Sequence, residues 1–322
     1  MSSRIDDILK GISSAAITGH VNPDGDCLGS CCGLYSYIKD QYPEMKVDLY
    51  LEEYKPAFRY LRGTESAKNT YSGEKYDVVF LLDASAVNRI GVSEELLHAG
   101  KKSFCIDHHI SNKGFADENV IFPDASSASE VLYTLLDPAR ITRETAEAIY
   151  TGIMQDTGVF QYKATSPQTM RIAAEMMEKE IPFTSIIHNT FFSRTYAEAR
   201  GLGLVLNRME LLYDGKCAYS WITQEEMDKY GMNKASLDGM SSQMNQTEGV
   251  EMSVFVYPSE ENSCKVSMRS IANANVSRLC TKLGGGGHVL AAGCPLNVPV
   301  EEARAVLLPA VEEELRETGL IG

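Results

Sequence analysis

A chain of 322 residues with 44% apolar, 23% charged and 8% aromatic residues has the composition of a globular protein with room for two domains. Its 44 acidic against 30 basic side chains leave a formal net charge of −14, which argues against coating long duplex DNA or RNA and against docking on an anionic membrane. A small anionic ligand stays allowed, because carboxylates that hold cations reverse the local sign.

The N-terminal MSSRIDDILKGISS lacks the basic and apolar regions of a secretory signal, and no run approaches the ~18 apolar residues of a spanning helix. The eight cysteines (Cys27, Cys31, Cys32, Cys105, Cys217, Cys264, Cys280 and Cys294) form no C-x-x-C pair. They read as reduced, mostly buried thiols of a cytoplasmic protein.

The first half alternates β-rich runs with helical patterns. A strand over 15–19 leads through a polar loop into a helix over about 27–39, and KVDLYL (46–51) alternates as a second strand. YDVVFLL (76–82) is a continuous apolar run, as expected of a strand buried on both faces, and SFCI (103–106) is a shorter one. Helices are expected over 127–136, 142–154 and 167–180. Strands alternating with helices predict βαβ units and a largely parallel sheet.

From about Met209 the rhythm changes. Two β-rich runs, 210–213 and 216–221, flank Asp214-Gly215, a hairpin turn signal, and a second strand pair is expected over 252–257 and 264–268. A helix over 276–283, a glycine run and a last helix over 300–317 complete a smaller α/β unit. SRTYAEARGLGLVL (193–206) reads as a helix joining the halves. The boundaries expected are 1–190, a helical linker over 191–208, and 209–322, with a cleft where the domains meet.

Chemistry collects at predicted element ends. His20 ends the first strand, and Pro23 and Gly25 place Asp24 and Asp26 on irregular backbone before a helix. Ligands of open α/β sheets bind at such ends, and one imidazole with two carboxylates suits a Mn- or Mg-type cation. A turn with an aspartate helix cap would read the same. Asp83 directly follows VVFLL, either as a cap or as a site residue, and Asp107-His108-His109 follows FCI. Asp156 ends a helical pattern, where the helix dipole disfavours a carboxylate unless a cation offsets it. Together these positions supply enough ligands for two metals sharing one carboxylate, an arrangement suited to phosphoryl chemistry. In the second half Gly284–Gly287 and His288 form a backbone able to approach phosphate closely, and Arg269, within Ser267-Met-Arg-Ser270, could grip phosphate bidentately. A flexible linker is the plain alternative for the glycines.

HVNPDGDCLGS, LLDAS, IDHH and GIMQDTGVF, in this order, resemble the four motifs of the DHH phosphoesterases, and SMRS followed by GGGGHVLAAG resembles their DHHA1 domain. The likeness spans essentially the whole chain and is nearest to the bacterial oligoribonuclease and 3′-phosphoadenosine-5′-phosphate (pAp) phosphatase type. It implies an α/β fold: an N-terminal DHH domain with a mainly parallel sheet flanked by helices, and a smaller α/β DHHA1 domain with a mixed sheet. It further implies His20 and Asp24 on one divalent ion, Asp26, His108 and Asp156 on another, and Asp83 bridging them. The ions would be Mn²⁺, with Mg²⁺ or Co²⁺ as substitutes, and a hydroxide between them would attack phosphorus. Asp107 would orient the neighbouring histidine and His109 would contact the scissile phosphate. Ser267, Arg269, Ser270, Gly285, Gly286, Gly287 and His288 would bind the rest of the substrate. Gln155 and Val289 depart from the usual pattern, which expects threonine and a basic residue there.

The resemblance thus implies hydrolysis of short oligoribonucleotides to monophosphates and of pAp to AMP, with cyclic di-AMP or pApA as alternative substrates and a homodimer allowed. A pyrophosphatase, a RecJ-like exonuclease and a non-catalytic nucleotide sensor fit less well.

Overall fold

The computed structural model describes residues 4–260 and 262–322 and divides the chain into two compact units, Met1–Ser193 and Arg194–Gly322. Unit one contains α1 (Arg4–Ile8), β1 (Ser14–Thr18), α2 (Gly25–Gln41), β2 (Lys46–Tyr50), β3 (Tyr76–Leu82), β4 (Gly100–Asp107), β5 (Glu118–Ile121), α3 (Ala128–Leu135), α4 (Arg143–Asp156), α5 (Pro167–Met177) and α6 (Phe183–Ile187). Its sheet has the order β2-β1-β3-β4-β5, and every pair is parallel.

Alternation along the strands sends side chains to two cores. Ile17, Val78, Phe80, Leu82 and Ile106 join the larger core with residues of α2, α3, α4 and α5. Ala16, Val79 and Leu81 pack on the other face with Ile90, Leu96 and Leu97, which short 3₁₀ turns supply. Both faces are therefore covered, as the unbroken apolar β3 run predicts. The direction of strand order reverses between β1 and β3, so the loops after these strands open at the switch point where such sheets bind ligands.

The predicted helices form with shifted ends. Ser127, Thr142 and Ser166 cap α3, α4 and α5 by accepting from backbone N–H groups. Helix α4 runs through Asp156, two residues past its predicted end. Strand β5, with its short, mixed sequence ENVI, and the π-helical turn His188–Phe192 carry no predicted counterpart.

Unit two contains α7 (Tyr196–Arg208), β6 (Glu210–Leu212), β7 (Cys217–Trp221), α8 (Gln224–Tyr230), α9 (Met240–Met244), β8 (Met252–Pro258), β9 (Cys264–Ser270), α10 (Val276–Lys282), β10 (Gly286–His288), β11 (Ala291–Leu296) and α11 (Val300–Glu317). Its sheet, β10-β11-β9-β8-β7-β6, is mixed: only β7–β8 is parallel. The β6–β7 hairpin turns through Tyr213, Asp214 and Gly215, all at positive φ. Gly284 and Gly285 make the turn that leads into edge strand β10, and the second half of the glycine run, Gly286 and Gly287, lies in that strand. Gly287 (φ 144) permits this, since a Cβ there would meet the Ala291 carbonyl at 2.5 Å. Among the described residues no helix is long and apolar enough to cross a membrane.

A candidate metal centre

The loops at the carboxyl end of the parallel sheet bring His20, Asp24, Asp26, Asp83, His108 and Asp156 together. His20 follows β1, Asp83 follows β3, and Asp107 closes β4. Asp24 caps α2, accepting from the N–H groups of Asp26 and Cys27, while Asp26 lies in the helix's first turn. Asp156 arrives from the last turn of α4.

Among the described residues three ligand-like groups overlap here, the third being Asp83, His108 and His109, with His109 Nδ1 3.5 Å from Asp83 Oδ1. In one, His20 Nε2 lies 3.6 Å from Asp24 Oδ1 and 3.5 Å from Asp83 Oδ2. In another, His108 Nε2 lies 3.5 Å from Asp156 Oδ2 and 4.0 Å from Asp26 Oδ2. Asp83 faces both, since its Oδ1 is 3.6 Å from His108 Nε2. His20 Nδ1 is 2.8 Å from the Val21 carbonyl, which assigns a proton to Nδ1 and turns Nε2 toward the carboxylates. His108 Nδ1 leans on the Ala125 carbonyl at 3.4 Å.

This donor set fits divalent cations. Asp83 Oδ1 is buried with no hydrogen-bond partner, and Asp83 itself sits in left-handed backbone at φ 54. An orphaned buried carboxylate oxygen and a strained backbone each cost on the order of 1–3 kcal/mol, unless a ligand uses what they hold in place. Among the described residues no lysine or arginine forms an ion pair with Asp24, Asp26, Asp83 or Asp156. The charges respond accordingly. Burial and then Asp26 push the Asp83 carboxyl far above its ordinary range, and burial, Asp26 and Asp83 push Asp156 up to about 9. Asp26 is raised by burial. Burial alone would lower His20, but the Asp24 and Asp83 carboxylates outweigh it and carry it up to about 12. Each change draws a proton into a place where positive charge is missing.

Helix packing fixes the spacing. Asp26 accepts at both oxygens from the Ala128 and Ser129 N–H groups that open α3, at 2.6 and 3.0 Å. Gly152 of α4 makes room for this: a Cβ there would stand 1.9 Å from Ser129 Oγ and 2.6 Å from Asp26 Oδ1. Beside the cluster, Asp107 Oδ1 accepts from the His108 N–H and from His109 Nδ1 at 2.7 Å, while its Oδ2 accepts from Asn112 Nδ2. The ring Asp107 holds is therefore that of His109. This hydrogen bond raises the His109 pKa, while the same contacts hold the fully buried Asp107 low against the opposing effect of burial. Asn112 and the α3 amides are supports that no sequence motif announces, and Gly152, which opens the GIMQDTGVF motif, shows its packing role only in the fold. Gln155 donates to Thr190 in the π-helical turn at 2.7 Å.

In unit two the pairing register sorts the predicted substrate residues. His288, Ala291 and Arg269 stand opposite one another across β10, β11 and β9, as do Gly286, Gly293 and Ser267. These six share one sheet face, and Val266, Met268, Ala292 and Cys294 form the core on the other. Arg269 and His288 are thus about 10 Å apart with a small residue between them. Arg269 donates to the Met268 carbonyl at 3.0 Å and makes no ion pair among the described residues. Ser267 Oγ contacts Ser241 Oγ at 3.0 Å. Ser270 alternates away from Arg269, pairs with core residue Met252, and keeps a buried hydroxyl without a partner. Gly285 and Gly287 alternate away as well, and Gly287 accepts from Ser277.

The profile of the DHH family N-terminal domain matches residues 14–153, and that of the DHHA1 domain matches 214–317. The chain is 30% identical to the bifunctional oligoribonuclease and PAP phosphatase NrnA of Thermus thermophilus, over 98% of this chain and 94% of that one. It is 26% identical to the NrnA of Bacillus subtilis, over 86% and 87% of the two chains. In structure it resembles an exopolyphosphatase-related protein from Bacteroides fragilis, with a TM-score of 0.91, 27% identity and coverage of 98% and 96%.

Proposed function

The chain belongs to the DHH/DHHA1 phosphoesterases, and on that premise we propose that it hydrolyses short oligoribonucleotides to monophosphates and pAp to AMP. The observation that carries the reading is Asp83, which turns one carboxylate oxygen to His20 and the other to His108. His20, Asp24 and Asp83 would hold one divalent cation and Asp26, His108 and Asp156 a second, with Asp83 shared and Mn²⁺ as the ion expected. When bound, such a pair lowers the pKa of water and offsets phosphoryl charge.

The chain's own groups do the rest. The His20 Nδ1–H on Val21 keeps Nε2 as the donor atom toward a cation. His109, fixed through Nδ1 on Asp107, carries a proton at higher pH than an ordinary histidine. Its Nε2 can therefore donate to a phosphoryl or leaving-group oxygen. The α3 amides hold Asp26 in one rotamer before any substrate binds. In unit two Arg269 and His288 would receive the further phosphate of a short substrate, with the Gly286 and Gly293 backbone between them. A substrate of a few nucleotides carries few phosphates, so a net charge of −14 does not oppose it.

The test is a side-by-side panel. Purified protein with Mn²⁺ is offered pAp, pApA, cyclic di-AMP, pyrophosphate and a short RNA, and products are resolved chromatographically. AMP from pAp and monophosphates from RNA are the expected result. Turnover confined to pyrophosphate or cyclic di-AMP would replace this substrate assignment, and no turnover at any pH would favour a nucleotide sensor.

A further inference from the structure

Directly after Asp156 the backbone takes a conformation that L-residues avoid. Gly158, Val159 and Phe160 stand in succession at φ 56, 58 and 64. Non-glycine residues visit this region singly, and a β-branched valine is the least suited of them. The turn is locked: Phe160 N–H donates to Thr157 Oγ1, and the Gln161 and Tyr162 N–H groups both donate to the Thr157 carbonyl, at 2.9 and 3.0 Å. It packs Val159 and Phe160 against the core, with Phe160 6.0 Å from Tyr150. Tyr162 is the aromatic ring the turn leaves outside.

Its placement is specific. A Cβ built on Gly158 would lie 2.5 Å from Tyr162 Cζ and 2.6 and 2.8 Å from the two Cε atoms, nearer than to the hydroxyl. The ring therefore lies with one face on the Gly158 backbone, two residues beyond Asp156. Tyr162 is 55% exposed, so the side chain is otherwise largely open to solvent. A flat ring backed by glycine and presented beside a phosphoester site is the geometry on which a nucleobase stacks.

We propose that Tyr162 is the stacking platform for the base of the nucleotide whose phosphate is cleaved at the Asp83 cluster. This rests on the nucleotide reading above and names a specificity residue for it. Stacking accepts any base, so the residue selects nucleotides over base-free phosphoesters rather than one base over another.

The experiment uses the Mn²⁺-loaded full chain, as wild type, Tyr162→Ala and Tyr162→Phe. Two readouts are taken: steady-state hydrolysis of an adenylyl dinucleotide and of its abasic analogue, and quenching of a 2-aminopurine dinucleotide on binding. Tyr162→Ala is expected to raise KM for the dinucleotide by about 5- to 150-fold. It should leave the abasic analogue within about twofold of wild type and abolish the quenching, while Tyr162→Phe restores both properties, because the face and not the hydroxyl matters. Equal loss on both substrates, or unchanged quenching in Tyr162→Ala, would overturn the proposal. Failure of the wild type to cleave any nucleotide would instead refute the substrate reading, and the quenching would still decide whether Tyr162 stacks.

Discussion

Replacing Asp83 by alanine is expected to lower kcat/KM on pAp and on dinucleotides by about 10³-fold or more, because several kcal/mol of transition-state stabilisation depend on the ions it would share. Both oxygens are committed, Oδ2 toward His20 and Oδ1 toward His108, so no other side chain substitutes for it. The fold should survive. Asp83 is a buried carboxylate with an unpartnered oxygen, and removing it relieves desolvation and repulsion with Asp26, against which stands the smaller cost of alanine at φ 54. Circular dichroism and thermal unfolding without metal should therefore match or exceed wild type. Near-normal turnover of Asp83→Ala would contradict the shared-ligand role.

The second large effect is a stabilisation by Mn²⁺ that grows with pH. In the absence of cations the folded state holds protons that the unfolded chain releases. Asp156 titrates near 9 against about 4 unfolded, and His20 near 12 against about 6.5. With more protons bound in the native state, stability falls as pH rises, by up to about 1.4 kcal/mol per pH unit for each such group. The loss begins above about pH 4 for Asp156 and above about pH 6.5 for His20. Divalent cations displace these protons, so their apparent affinity should rise with pH. Thermal unfolding between pH 5 and 8.5, with chelator or with saturating Mn²⁺, should give two curves that diverge upward in pH. A Mn²⁺ increment that stays constant or shrinks across this range would contradict the charge account.

What the sequence made legible follows from where the determining forces are local. The unbroken YDVVFLL run announces a strand covered on both faces, and Asp83 at its end is legible with it. Asp24 and Asp26 stand before an apolar helix whose cap is a local hydrogen bond. Strand β5 escapes because ENVI is short and at the edge, where packing imposes little pattern. The supports of the site escape for another reason. The Ala128 amide that holds Asp26 is 102 residues distant, and Asn112 reaches Asp107 through a loop without a motif. Gly152 acts by lacking a side chain where two helices and a ligand meet, which spacing cannot express. In unit two, SMRS and GGGGH are legible as motifs, but only pairing register separates Arg269 and His288 on one face from Ser270 on the other.

On the proposed reading, six histidine and aspartate side chains would form two cation sites around one shared carboxylate. Counting free Mn²⁺ by electron paramagnetic resonance during titration of the metal-stripped protein tests it most directly. Wild type should take up two ions per chain, and Asp83→Asn should lose tight binding of at least one. A single ion per chain in wild type, or two ions bound as tightly by Asp83→Asn, would contradict it.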